Sequence, residues 1–280
     1  MKTPKQMINL IQNGLVDNII CQLKSGKEAS VFIVLSEGEI RCAKVYKEAN
    51  KRSFKKNDQY MEGRKCRNSR KSRAIEKRSK YGRKEQEKAW QNTEVEVLYR
   101  LAAAGVRVPK VFEFMDGVLI MELLQGQDGK PAPRLIDVEL TPELAKEYYI
   151  KLIRDVVQML CIGIIHGDLS EYNILLGCEG PVIIDLPQAV DASSNNQALE
   201  IFTHDLNNLK LYFSQFAPEI SSTDYCLEIW DKYKKGILSP DCDLTGHFRI
   251  DERKVDIKQA LEAVETAQEE ELERRSFVPS

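Results

Sequence analysis

His166-Gly-Asp-Leu-Ser-Glu-Tyr-Asn173, followed by Val182-Ile-Ile-Asp185, is the stretch on which the reading of this chain turns. It supplies two carboxylates and one amide in a fixed order: Asp168, Asn173 and Asp185. Asp168 and Asn173 lie five residues apart, a spacing that suits one loop accepting a hydroxyl proton at one end and holding Mg²⁺ at the other. Asp185 closes an apolar, strand-like run. It is the expected principal metal ligand, because a hard cation that bridges phosphates prefers carboxylate oxygens. Taken singly, each residue is ordinary: an Asp after His-Gly is more often a turn residue or a helix cap than a base. Taken together, with an apolar strand on each side, they point to phosphoryl transfer.

The upstream half supplies the complementary parts. Lys24-Ser-Gly-Lys-Glu-Ala-Ser-Val31 sits between two strand-like runs, 18–23 and 31–35. It lines up with the glycine-rich pattern of protein kinases with one glycine kept, Gly26, while Lys24 and Ala29 stand where the other two would be. Gly26, Lys27, Ala29 and Val31 are the candidate nucleotide contacts here, and a plain hairpin turn is the alternative. Lys44, in Arg41-Cys-Ala-Lys-Val-Tyr46, falls thirteen residues after Val31 in an expected third strand. A lysine in an apolar strand is costly unless paired. The α- and β-phosphates of ATP and a helix carboxylate would pair it. Glu94 is the candidate carboxylate, on a helix expected over Trp90–Ala104 where Val97, Leu98 and Leu101 recur at helical spacing. A shifted register would substitute Glu96. Lys44→Ala is expected to weaken ATP use without unfolding the chain. Val118-Leu-Ile-Met121 reads as a buried strand and Glu122-Leu-Leu-Gln-Gly126 as its exit. In a kinase that exit is the hinge that reads adenine, with Met121 at the back of the pocket and Glu122 and Leu124 offering main-chain contacts; an ordinary core strand and turn is the equal alternative.

These elements together resemble the RIO family of atypical protein kinases. The matching stretches are Ser25-Gly-Lys-Glu-Ala29, Lys44-Val-Tyr46, Pro131-Ala-Pro-Arg-Leu135, His166 to Asn173, and Ile184-Asp-Leu-Pro-Gln188, in order along nearly the whole chain. The resemblance implies an α+β, two-lobed protein-kinase-like fold, with residues 1–124 as the N-lobe and 125–280 as a reduced C-lobe. It implies ATP with Mg²⁺, or Mn²⁺ in its place, and transfer to serine in proteins or in the chain itself. It also implies Lys44 as the phosphate-binding lysine, Asp168 as the catalytic aspartate, and Asn173 and Asp185 as metal ligands. Some relatives act mainly as ATPases in ribosome maturation, forming a phosphoryl-aspartate at the position of Asp185. About twenty residues precede the glycine-rich loop, so the N-terminal winged helix of one branch is not expected. Many relatives carry an extra Thr between Ser25 and Gly26.

Charge is distributed unevenly. The formal net charge is −2, yet Lys51 to Lys84 holds 15 Lys/Arg against 3 Asp/Glu, a net of +12 that leaves −14 for the remainder. This stretch reads as an insertion between Lys44 and the helix of Glu94. It is either a solvated loop or a footprint for a polyanion, with RNA or a ribosomal particle as the family-compatible partner. Only Phe54, Tyr60 and Tyr81 are available there to stack on bases, and Ser53, Ser69, Ser72 and Ser79 are candidates for self-phosphorylation. Seven cysteines, at 21, 42, 66, 161, 178, 226 and 242, show no Cys-x-x-Cys spacing and read as reduced thiols. The sequence has no apolar run of about 18 residues and no signal-peptide core, so no membrane association and a cytoplasmic location are expected.

Further helices are expected over 4–13, 142–161, 196–216 and 255–275, the second opened by Thr141-Pro-Glu143. No Ala-Pro-Glu motif follows Asp185. Gly167 stands where many kinases place an Arg that pairs with a phosphorylated loop, so control by loop phosphorylation is not expected. Two other readings stay open on the sequence. One is a small-molecule kinase of the aminoglycoside type, which shares His-Gly-Asp with a downstream Asn. The other is an ATP-gated module whose turnover times its release from an RNA–protein particle.

Overall fold

In the computed structural model, residues 4–26, 28–47 and 80–248 are described, with the side chains of 80–91 left aside. Lys27, most of the basic stretch 51–84 and the expected helix 255–275 lie outside the described residues.

The first half of the chain folds by local pairing. Strands β1 (Asn18–Ser25), β2 (Ala29–Ser36) and β3 (Glu39–Tyr46) follow one another antiparallel. Glu37 and Gly38, at φ 52° and 76°, make the two-residue turn between β2 and β3. Two successive positive φ values match the twist of the flanking strands and fix their register. Asp116 and Gly117, at φ 50° and 73°, do the same between β4 (Val111–Met115) and β5 (Val118–Glu122). β5 then pairs with β3, giving one sheet in the order β1-β2-β3-β5-β4.

Alternation assigns the two faces of this sheet. Phe32, Val34, Ala43, Val45, Val118 and Ile120 form one face, buried against Met7 and Leu10 of helix α1 (Lys5–Gln12). The other face carries Ala29, Tyr46 and Leu119 into the main core with Val97, Leu98 and Leu101 of helix α2 (Lys80–Ala103). Lys44 pairs with Val31 on one side and Leu119 on the other, so it belongs to this inner face. α2 starts ten residues before the expected Trp90 and takes in the last residues of the basic stretch, so that stretch is not loop to its end.

The second half is mainly helical. Helix α3 (Pro142–Cys161) opens on Thr141, whose hydroxyl accepts from Leu144 N–H, with Pro142 in the first turn. Tyr149, Leu152, Ile153, Val156, Val157 and Leu160 form its buried stripe. Against it pack helices α4 (Ala198–Ser214) and α5 (Tyr225–Lys234). The strands of this half are short: β6 (Ile164–Ile165) pairs with β9 (Val190–Asp191), and β7 (Ile174–Gly177) with β8 (Gly180–Ile183). The residues 131–135 run as a strap from the sheet to this half. Ala132 N–H donates to Leu124 C=O, Leu176 N–H donates to Pro133 C=O, and Leu135 C=O accepts from the Tyr212 hydroxyl. Among the described residues no helix is long and apolar enough to cross a membrane.

Candidate active site

Four elements bring the site together. β3 carries Lys44, α2 carries Glu94, the loop between β6 and β7 carries Asp168 and Asn173, and the residues just beyond β8 carry Asp185. Lys44 Nζ donates to Glu94 Oε1 at 2.6 Å and to Asp185 Oδ1 at 2.7 Å. One ammonium therefore joins the sheet, the helix and the residues just beyond β8, across 141 residues of chain in the second case. Glu94 is 2% exposed, and its other oxygen accepts the Tyr46 hydroxyl. Glu96 is exposed, which resolves the register in favour of Glu94. Burial alone would lower the pKa of Lys44, but Glu94 and Asp185 raise it well above the ordinary lysine value. Desolvation pushes Asp185 up, and the Lys44 charge, the Lys44 hydrogen bond and the charges of neighbouring groups together outweigh it, so the carboxylate stays below its usual range. Asp185 holds φ +63°, a conformation costly for most side chains and tolerated best by Asn and Asp after Gly.

The loop that carries Asp168 and Asn173 is fixed from three sides. Asn173 Nδ2 donates to Asp168 O at 2.8 Å and to Asp168 Oδ2 at 3.2 Å, and Ile184 N–H donates to Asn173 O. His166 is buried; its Nδ1 accepts from Asp168 N–H and its Nε2 lies 3.0 Å from Ile184 O. A ring that accepts at Nδ1 and donates at Nε2 is neutral. Burial agrees, pushing the His166 pKa down to about 4. From α4, Asp205 takes Gly167 N–H at 2.8 Å and Leu169 N–H at 2.9 Å, and Asn208 Nδ2 donates to Leu169 O. Burial pushes the Asp205 carboxyl up to about 7. Gly167 sits at φ +85°, where a side chain is strained. Neither Asp205 nor Asn208 stood out in the sequence. Their spacing of three on the inner side of an amphipathic helix is the one available clue, and a buried Asp in a helix is a weak one without a partner in view.

The glycine-rich turn is a tight hairpin. Gly26 N–H donates to Ala29 C=O at 2.8 Å, and Ser25 and Ser30 hydroxyls lie 3.2 Å apart. A Cβ on Gly26 would meet only the Ala29 carbonyl, at 3.5 Å, so the turn itself does not demand glycine there. β1 is bulged between Gln22 and Lys24, which sets Lys24 opposite Val31 in the row that includes Lys44. At the exit of β5, Met121 faces Cys42, and Leu124 is buried with its carbonyl given to Ala132. Glu122 has a role the sequence did not suggest. Its carboxylate is held bidentate by Arg107 at 2.8 and 2.9 Å and accepts Lys110 N–H, while its own N–H donates to Lys110 O. Its side chain and amide therefore tie β5 to the residues before β4.

The RIO domain family profile matches residues 30–226. The chain belongs to the RIO family. It is 30% identical over 233 residues to the serine/threonine-protein kinase RIO1 of Caenorhabditis elegans, covering 81% of this chain and 43% of that one. It is 34% identical over 210 residues to the RIO-type serine/threonine-protein kinase of Haloferax volcanii, covering 73% and 66%. The human RIO1 kinase matches at 30% identity over 76% of this chain and 36% of its own. The chain thus spans roughly two fifths of the length of its curated animal relatives. The five-stranded antiparallel sheet followed by a helical half is a two-lobed, kinase-like α+β fold. Membership implies ATP and a divalent metal.

The residues present suit such a metal. Asn173 turns its amide nitrogen to Asp168, so its carbonyl oxygen is the atom it offers. Asp185 gives Oδ1 to Lys44, leaving Oδ2 as its second oxygen. An amide carbonyl and a carboxylate are the hard oxygen donors that a small divalent cation takes.

Proposed function

We propose that this chain is an ATP- and Mg²⁺-dependent RIO-type kinase that phosphorylates serine or threonine hydroxyls, its own included, and hydrolyses ATP at the same site. The observation that carries this is the double ion pair of Lys44 with Glu94 and Asp185 above a loop that presents Asp168 and Asn173. Lys44 is aimed by Glu94 and would bind the α- and β-phosphates. Met121 would back the adenine, with main-chain groups at Glu122 and Leu124 beside it, and Gly26, Lys27, Ala29 and Val31 would cover the phosphates. Asn173 and Asp185 would hold Mg²⁺, or Mn²⁺ in its place, which would supply positive charge to offset that of the phosphates. The acceptor hydroxyl oxygen bonds to the γ-phosphorus, the bridging P–O bond breaks with its electron pair passing to ADP, and the hydroxyl proton goes to Asp168. Water in place of the hydroxyl gives hydrolysis, and Asp185 in place of either gives an aspartyl phosphate, which hydroxylamine would cleave.

Comparing ³²P transfer from γ-labelled ATP to a generic protein, to an aminoglycoside and to water tests the class. Transfer to protein is expected; transfer to the aminoglycoside alone would overturn the reading. The basic residues 51–84 extend the proposal to RNA or a ribosomal particle as partner, on the support of their +12 charge. Affinity for single-stranded RNA should then fall with log[salt] at a slope of roughly −0.7 per phosphate contacted; no binding at low salt would remove the partner.

A further inference from the structure

The turn that follows Asp185 presents a residue that the scheme above leaves without a task. Leu186 and Ala189 are buried, and Ala189 N–H donates to Leu186 C=O at 3.1 Å. Pro187 fixes φ between them. Immediately afterwards β9 pairs with β6, the strand that feeds the catalytic loop. Gln188 is therefore held on a framework anchored at both ends. Its Nε2 donates to Asp168 Oδ2 at 3.3 Å, and Asn173 Nδ2 donates to the same oxygen at 3.2 Å. The amide must present its nitrogen here, because its oxygen would face a carboxylate oxygen. A carboxylate rotates readily about its last bond, where the torsional wells are broad. Two donors on one oxygen, one from within the loop and one from the chain beyond Asp185, restrict that rotation.

We propose that Gln188 is a positioning residue for phosphoryl transfer: its amide, with that of Asn173, anchors Asp168 Oδ2 and so sets the orientation in which the carboxylate meets the acceptor and takes its proton. This rests on the phosphotransferase reading above. Gln188 acts through Asp168, and Asp168 meets the acceptor, not the nucleotide. Losing the Gln188 N–H should therefore slow the chemical step and spare ATP binding, the pattern of an interaction used in the transition state.

The test uses the full chain with Mg²⁺ and ATP and compares wild type, Gln188→Ala and Gln188→Met. Methionine keeps the length of the side chain and lacks the N–H. ³²P incorporation into protein and phosphate release to water give kcat, and the ATP dependence gives KM. Both variants should lose about tenfold in kcat, ~1.4 kcal/mol in the barrier, with KM for ATP within about twofold on the same scale. Wild-type kcat in Gln188→Met, or a loss carried wholly by KM, would overturn the assignment while the wild type remained active. A wild type that transfers to no acceptor would overturn the phosphotransferase reading, and the role of Gln188 with it.

Discussion

His166 reaches two backbones at once, accepting from Asp168 N–H and donating to Ile184 O. It does so as a neutral ring whose pKa burial has lowered from 6.5 to about 4. Below pH 6.5 the unfolded chain takes up a proton that the folded chain refuses. The stability tied to this residue is thus full above 6.5 and lost as pH falls toward 4. A shift of this size corresponds to about 3 kcal/mol. Asp205 works in the opposite direction. Its folded pKa is raised to about 7, so its contribution is full below the unfolded carboxylate range and declines as pH rises toward 7. The two trends mask one another in the whole-protein curve, so the comparison that isolates His166 is with His166→Gln. In urea melts the stability gap between wild type and this variant should narrow by about 3 kcal/mol between pH 7 and pH 4. A constant gap would mean that the imidazole is not buried neutral. The Asp168–Asn173–Asp185 order could be read in the sequence because its chemistry fixes spacing within one short stretch. The Asp205 clamp could not, since it acts from 36 residues downstream on backbone N–H groups, which leave no mark in a sequence.

Helix α2 docks on the sheet through a polar contact set in an apolar interface: Glu94 between Lys44 and Tyr46, beside Val97, Leu98 and Leu101. The sequence located this pairing but misjudged its energetics. Lys44→Ala was expected to leave the fold intact. With Glu94 at 2% exposure, removing the lysine strands a buried carboxylate, which costs about 3 kcal/mol or more. Lys44→Ala should therefore lower the urea midpoint clearly as well as abolish ATP use. Lys44→Met combined with Glu94→Leu should recover most of the stability and none of the activity. Equal stability of Lys44→Ala and wild type in urea would show that Glu94 is not held in this way. Elsewhere at this scale, helix α3 was legible from its Thr-Pro-Glu start and continuous apolar stripe. β4 was not: it is short and half-buried, and a bulge between Val111 and Glu113 breaks its alternation. α5 was missed for a similar reason, with Ile229 its one fully buried apolar residue.

At the scale of the molecule, a sheet built by adjacent hairpins sits over a helical half. The residues that close the gap between them are those proposed for catalysis: Lys44 above, Asp185 below, and the 131–135 strap alongside. Because these residues come from 141 positions apart, their meeting could be inferred in the sequence only from the ordered set of motifs, never from local pattern. The account stands or falls on whether Asp168 and Asp185 have separate tasks, acceptor and metal. Asn is the suitable replacement at both, since it keeps the shape and, at 185, tolerates φ +63°. The deciding measurement is single-turnover transfer from γ-³²P ATP, with nucleotide affinity determined in parallel. Asp168→Asn should slow transfer by roughly 10² or more with ATP affinity retained, and Asp185→Asn should abolish metal-dependent turnover. Transfer at the wild-type rate by either variant would contradict the account.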